Sequence, residues 1–118
     1  MYLSGFSSYD HMVEQFNIDS KDLEGVQILF AKYKQGDYCG QALVIYSKGE
    51  ELYEVNASHC SCMGIEGQWS PELTTRQDLE YRFFNDNLVL PDICDDDSDY
   101  QALRRVLLDH IAEEYLLQ

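Results

Sequence analysis

The chain has 118 residues, enough for one domain with one hydrophobic core and too few for two. A hydrophobic fraction of 45%, with nine Tyr, five Phe and one Trp, excludes a disordered chain, and no metal or disulfide is obligatory for folding at this length. Twenty-two Asp and Glu against eight Lys and Arg give a net charge of −14, which repels phosphate backbones and anionic membranes.

Direct nucleic-acid binding therefore lacks its main source of affinity. The acidity has two readings, plain solubility or faster encounter with a basic protein surface. Met1-Tyr2-Leu3-Ser4-Gly5-Phe6 has no basic-then-apolar leader character, and no apolar run approaches the ~20 residues that span a bilayer. The expected location is the cytoplasm. There, Cys39, Cys60, Cys62 and Cys94 read as thiols or metal ligands before they read as disulfides.

Taken in chain order, Ser7 reads as an N-cap with Asp10 three residues on. Tyr9, Met12, Val13 and Phe16 then recur at helical spacing, and Asn17 and Asp19 close the helix. Ser20 to Glu24 forms a further turn ended by Gly25. From Val26 the period changes, with Val26, Ile28 and Phe30 alternating in a β-rich run that reaches Tyr33. Gln35-Gly36-Asp37 turns the chain into Gln41 to Tyr46, an apolar run suited to a central strand buried on both faces. Lys48-Gly49-Glu50 turns it again into Glu51 to Val55. Three strands joined by short glycine turns predict an antiparallel meander.

Asn56 to Trp69 has no regular period and reads as a long loop packed on the sheet. Ser70-Pro71-Glu72 resembles a helix start, running to about Phe84 with Leu79 and Phe83 inward. Arg76 with Glu80 and Asp78 with Arg82 are ion pairs at i,i+4 on that helix. After a polar connector containing Pro91, Ser98-Asp99-Tyr100-Gln101 reads as a capping box. The final helix has a core stripe of Tyr100, Leu103, Leu107, Ile111 and Tyr115, and Asp95, Asp96, Asp97 and Asp99 sit where its dipole favours negative charge. The fold class is thus a single α+β domain over residues 1–118. Its antiparallel sheet has three strands or slightly more, packed with an N-terminal helix and two C-terminal helices.

Ser58-His59-Cys60-Ser61-Cys62 is the one dense group of ligands and nucleophiles. Zinc drawn from His59, Cys60, Cys62 and Cys39 or Cys94 is one reading, against which stand the tight spacing and the adjacency of His59 to Cys60. Small, half-buried thiols packing a loop explain the same residues. A nucleophilic Cys60 or Cys62 with His59 as base is a third reading, but sequence neighbours seldom face each other in that way. The Asp95–Asp99 run lacks the glycine and glutamate of a calcium loop. No phosphate-binding or hydrolase motif is present, so an enzyme is not expected. Trp69 is the first choice for a partner anchor, with Glu50, Glu51 and Asp95 to Asp97 as partner-facing charges and a core or loop-anchor tryptophan as the plain alternative.

Leu52-Tyr53-Glu54-Val55-Asn56-Ala57-Ser58-His59-Cys60-Ser61-Cys62, followed by Gly64-Ile65-Glu66-Gly67-Gln68-Trp69, resembles a recurrent small protein family of tailed bacteriophages. Asp37 to Ala42 and the helix beginning at Ser8-Tyr9 fit the same pattern, so the resemblance covers about Ser7 to Arg82. It implies an accessory phage product in the host bacterial cytoplasm, and it carries no catalytic residue with it. The expected function is binding to a host protein with a basic surface, inhibiting or modulating it, with imitation of nucleic-acid charge as one route. A small zinc-binding interaction domain is the alternative.

Overall fold

The computed structural model describes residues 1–36, 39–60, 64–83 and 97–116, with backbone alone for Phe83 and residues 108–116. Five strands form one sheet in sequence order: β1 (Tyr2–Ser4), β2 (Val26–Gln35), β3 (Cys39–Lys48), β4 (Glu51–Cys60) and β5 (Glu72–Thr74). The protein is α+β, and the meander β2-β3-β4 is antiparallel throughout. Two short strands enlarge it, β5 antiparallel to β4 and β1 parallel to β2, so the sheet is mixed.

The helix α1 (Tyr9–Phe16) is capped by Ser8, one residue later than the sequence suggests, with its hydroxyl accepting from the His11 amide at 3.1 Å. It ends on Asn17 in the left-handed conformation, and Ile18 N–H reaches back to the Val13 carbonyl at 3.1 Å. This is a Schellman ending, with Ile18 and Val13 as its apolar contact. A 3₁₀ turn at Ser20–Leu23 leads into β2.

Both faces of the sheet are covered. On one, Met12 and Phe16 of α1 pack with Ala31, Tyr33, Ala42, Val44, Tyr46, Val55, Ala57 and Ile65. On the other, Phe30, Leu43, Ile45 and Leu52 pack against Leu79 of α2 (Arg76–Phe83) and Leu103 and Leu107 of α3 (Asp97–Leu116). Covering on both faces is why β3 reads as an unbroken apolar run, since side chains alternate between two cores.

The structure corrects four expectations. Ile28 and Phe30 do not share a face: a register shift between them inserts Leu29 as a bulge and turns Phe30 to the helical side of α2 and α3. The segment from Asn56 to Cys60 is the end of β4, not loop. Ser70-Pro71-Glu72 does not start a helix. Residues 72–74 pair with β4, and α2 begins after Thr75, whose hydroxyl accepts from the Asp78 amide at 3.1 Å. The expected pairs Arg76–Glu80 and Asp78–Arg82 are formed at 3.1 Å each.

The fourth correction is the capping box at Ser98: α3 already begins at Asp97, so Ser98 lies within the helix. Asp99 does lie in the acidic first turn of α3, and it is also fully buried and ion-paired to Lys32 of β2 at 2.8 Å. A second sheet-to-helix pair joins buried Glu54 of β4 to Arg82 of α2. Burial alone would lower the Arg82 pKa, but the hydrogen bond and charge of Glu54, with Asp78 behind them, raise it overall. The two C-terminal helices are therefore fixed by charge as well as by Leu79, Leu103 and Leu107.

Candidate functional site

Two groups of chemically able side chains lie on the sheet, toward opposite ends of the β3-β4 hairpin. Near its turn, Tyr46 and Tyr53 are direct cross-strand partners and stack at 5.1 Å with 16° between their rings. Trp69 stacks on Tyr46 at 5.7 Å and 12°, and meets Phe16 edge-on at 5.2 Å. The result is a three-ring column of Tyr53, Tyr46 and Trp69, with buried Tyr46 in the middle and the outer rings half-exposed. The indole Nε1 is buried and has no hydrogen-bond partner among the described residues.

Acidic groups act on both tyrosines of this column. Tyr53 donates its hydroxyl to Glu51 at 2.6 Å, and Glu50 is exposed in the two-residue turn between β3 and β4. Leu73 of β5 pairs with Tyr53, so it shares that face, and it is 65% exposed. The Tyr46 pKa is raised above its ordinary 10.0, first by burial and then by the charge of Asp22. Tyr53 is raised as well, first by the hydrogen bond to Glu51, then by burial and by the neighbouring Glu51 charge.

A raised folded-state value means the native protein keeps a proton that the unfolded chain releases. The contribution of Tyr46 is therefore complete below pH 10.0 and is lost as pH climbs through the folded value. Tyr46→Phe should flatten part of the alkaline fall in the urea midpoint. An identical alkaline slope in the variant would show that Tyr46 is not its source.

The other end of the hairpin holds His59, Cys60 and Cys39. His59 Nδ1 lies 2.9 Å from the Cys60 carbonyl, which can only accept, so Nδ1 carries the hydrogen. In the neutral ring Nε2 then accepts from the Tyr33 hydroxyl at 2.7 Å. The ring sits over Gly40, its cross-strand partner; a Cβ there would come within 2.2 Å of Nε2, so glycine is what admits the imidazole. Cys39 and Cys60 are cross-strand partners of each other, both exposed free thiols. Strand alternation places them on the face opposite His59.

The sequence group is thus divided by the sheet. Cys39 and Cys60 come together, while His59 faces away with both nitrogens engaged. Among the described residues no three His, Cys, Asp or Glu side chains form a group able to hold a metal. Cys62, Cys94, Asp95 and Asp96 lie outside the described residues. Asp97 is exposed at the start of α3, the helix that covers the sheet face opposite the aromatic column.

Residues 64–69 pack on the α1 side through buried Ile65 and half-buried Trp69. Gln68 acts there as a substitute strand: its amide accepts from Ser58 N–H at 3.0 Å and donates to the Ser58 carbonyl at 2.8 Å. This closes the β4 edge beyond the reach of β5. Sequence reading had no signal for the Gln68 clamp, because a single glutamine in an aperiodic segment has no pattern.

Comparison with protein-family models, curated proteins and solved structures finds no match to this chain. Among the described residues no helix is long and apolar enough to cross a membrane.

Proposed function

We propose that this protein is a binding protein that engages a basic surface on another protein through the Tyr53–Tyr46–Trp69 column and its acidic surroundings. The observation that carries this reading is the juxtaposition itself: half-exposed rings and the exposed Leu73 on one face, with Glu51 bonded into the column and Asp22 close enough to act on Tyr46. Aromatic anchors surrounded by charge are the arrangement that separates affinity from steering. The bacteriophage resemblance supports placing the partner in a host bacterium, with inhibition or modulation of a host factor as the outcome and the host cytoplasm as the setting.

The test uses purified protein as bait in a host lysate, beside Leu73→Ala, Trp69→Ala and a Glu50→Lys, Glu51→Lys double variant, followed by kinetics on whatever the wild type alone retains. Charge reversal should mainly lower the association rate, and added salt should do the same. Trp69→Ala should instead raise the dissociation rate, at a cost of about 2 kcal/mol or more if the ring is an anchor. Leu73→Ala guards against misfolding, because a side chain this exposed contributes little to the core. A partner retained equally by all variants would refute the surface proposed.

A further inference from the structure

We propose that Cys39 and Cys60 form a reversible cross-strand disulfide, a thiol–disulfide exchange site that takes a low-molecular-weight disulfide of the glutathione class as its oxidant. The inference rests on register, not on the cysteine count. Lys48 and Glu51 flank the two-residue turn of the β3-β4 hairpin, so they are a hydrogen-bonded pair. Pairs alternate from there along the unbroken register, which makes Cys39 and Cys60 a non-hydrogen-bonded pair. A second observation agrees: the Cys39 carbonyl accepts from Gly36 N–H at 2.7 Å, so the Cys39 backbone groups point toward β2 and away from β4.

That pair type is the closer one. Its Cα atoms sit about 4.5 Å apart, within the range a disulfide spans, and its side chains leave the same face. Both thiols are exposed, so an oxidant can reach them. An exposed cross-strand bond belongs with the reducible disulfides, not the permanent ones, which suits a compartment kept reducing except under stress.

The exchange balances in two displacements. One protein thiolate attacks a sulfur of the small disulfide; the protein–small-molecule S–S bond forms, the original S–S bond breaks, and one small thiol leaves. The second protein thiolate then attacks the protein sulfur of this mixed disulfide and expels the second small thiol. Two protein thiols lose two electrons and two protons, and both go to the small disulfide, which becomes two thiols. The product bond ties β3 to β4 at the end where the chain leaves the sheet. It also removes Cys39 and Cys60 as metal ligands, so this chemistry and a zinc site built on that pair exclude each other.

The test is peptide mapping by mass spectrometry after the native full chain is equilibrated with oxidised and reduced glutathione, with metal content measured on protein purified without chelator. The expected product has lost two hydrogens, contains a Cys39–Cys60 cross-linked peptide as its main pairing, and returns to the thiol form with a dithiol reductant. Cys39→Ser and Cys60→Ser should each abolish that product, while Cys62→Ser and Cys94→Ser leave it in place. In concentrated urea the selectivity should disappear, because loop closure then favours the near neighbours Cys60 and Cys62. Persistent glutathione adducts on both Cys39 and Cys60, a native cross-link running through Cys62 or Cys94 instead, or stoichiometric zinc that shields the pair would each overturn the proposal.

Discussion

Asp99→Ala should lower stability by about 3–5 kcal/mol, read as a fall in the urea midpoint at constant slope. The carboxylate has no exposure at all; Lys32 lies 2.8 Å from it and the Tyr2 hydroxyl donates to it at 2.5 Å. Lys32 is itself only 5% exposed and also donates to Ser4 at 3.1 Å. Removing the carboxylate takes away the anion 2.8 Å from a nearly buried ammonium in the layer between the sheet and α3. The penalty comes from that buried charge losing an ion partner, because both ions already gave up much of their hydration on entering. The paired substitution Asp99→Leu with Lys32→Met separates the two contributions. It removes both charges and should recover most of the loss, ending nearer the wild type than either single variant. A double variant as unstable as Asp99→Ala would mean that Asp99 acts through another contact. With total stabilities of roughly 5–15 kcal/mol usual for single domains, that loss removes a substantial share of the total.

This buried pair also marks a limit of sequence reading. Asp99 stands in a run of aspartates ahead of a helix, where dipole and capping explain every member equally well, so nothing singles it out. The available signal was on the other side. Lys32 interrupts Phe30-Ala31-Lys32-Tyr33 in a strand covered on both faces, and a lysine so placed needs an anion. The meander was legible because Gly36 and Gly49 punctuate three β-rich runs, and α1 because Met12 and Phe16 repeat at helical spacing. The bulge at Leu29 was not legible, since strict alternation of Val26, Ile28 and Phe30 argues for one face and only tertiary packing divides them. Strand β1 has three residues and no period; its parallel place beside β2 depends on contacts made far along the chain. Ser70-Pro71 imitated a helix start, whereas Thr75 with Asp78 three residues on was the true one. At the candidate site, the sequence reading named Trp69 and Glu51 but not the Tyr46–Tyr53 stacking that joins them. It grouped His59 with Cys60 by adjacency, although adjacent strand residues point to opposite faces.

Gly5→Ala should be nearly as damaging as Asp99→Ala, at about 3–5 kcal/mol, because strain and collision act together there. Gly5 has φ +81°, a conformation that side chains of L-residues rarely adopt, and a Cβ added to it would stand 1.9 Å from the Tyr33 carbonyl oxygen. That oxygen belongs to β2, so relief requires β1 to move off the sheet. Gly67→Ala is the matched control: its φ is +78°, and an added Cβ would meet nothing within 4 Å. It should show the backbone term alone, about 1–2 kcal/mol. The difference between the two variants then measures how firmly β1 is docked. A Gly5→Ala cost no greater than that of Gly67→Ala would show that β1 yields freely. The displaced strand also carries Tyr2 and Ser4, which bond to Asp99 and Lys32. Gly5→Ala and Asp99→Ala therefore disrupt one shared arrangement from two sides. Their combined effect should fall short of the sum by about 1 kcal/mol or more, whereas strict additivity in the double-mutant cycle would mean that the strand and the ion pair stabilise the fold independently.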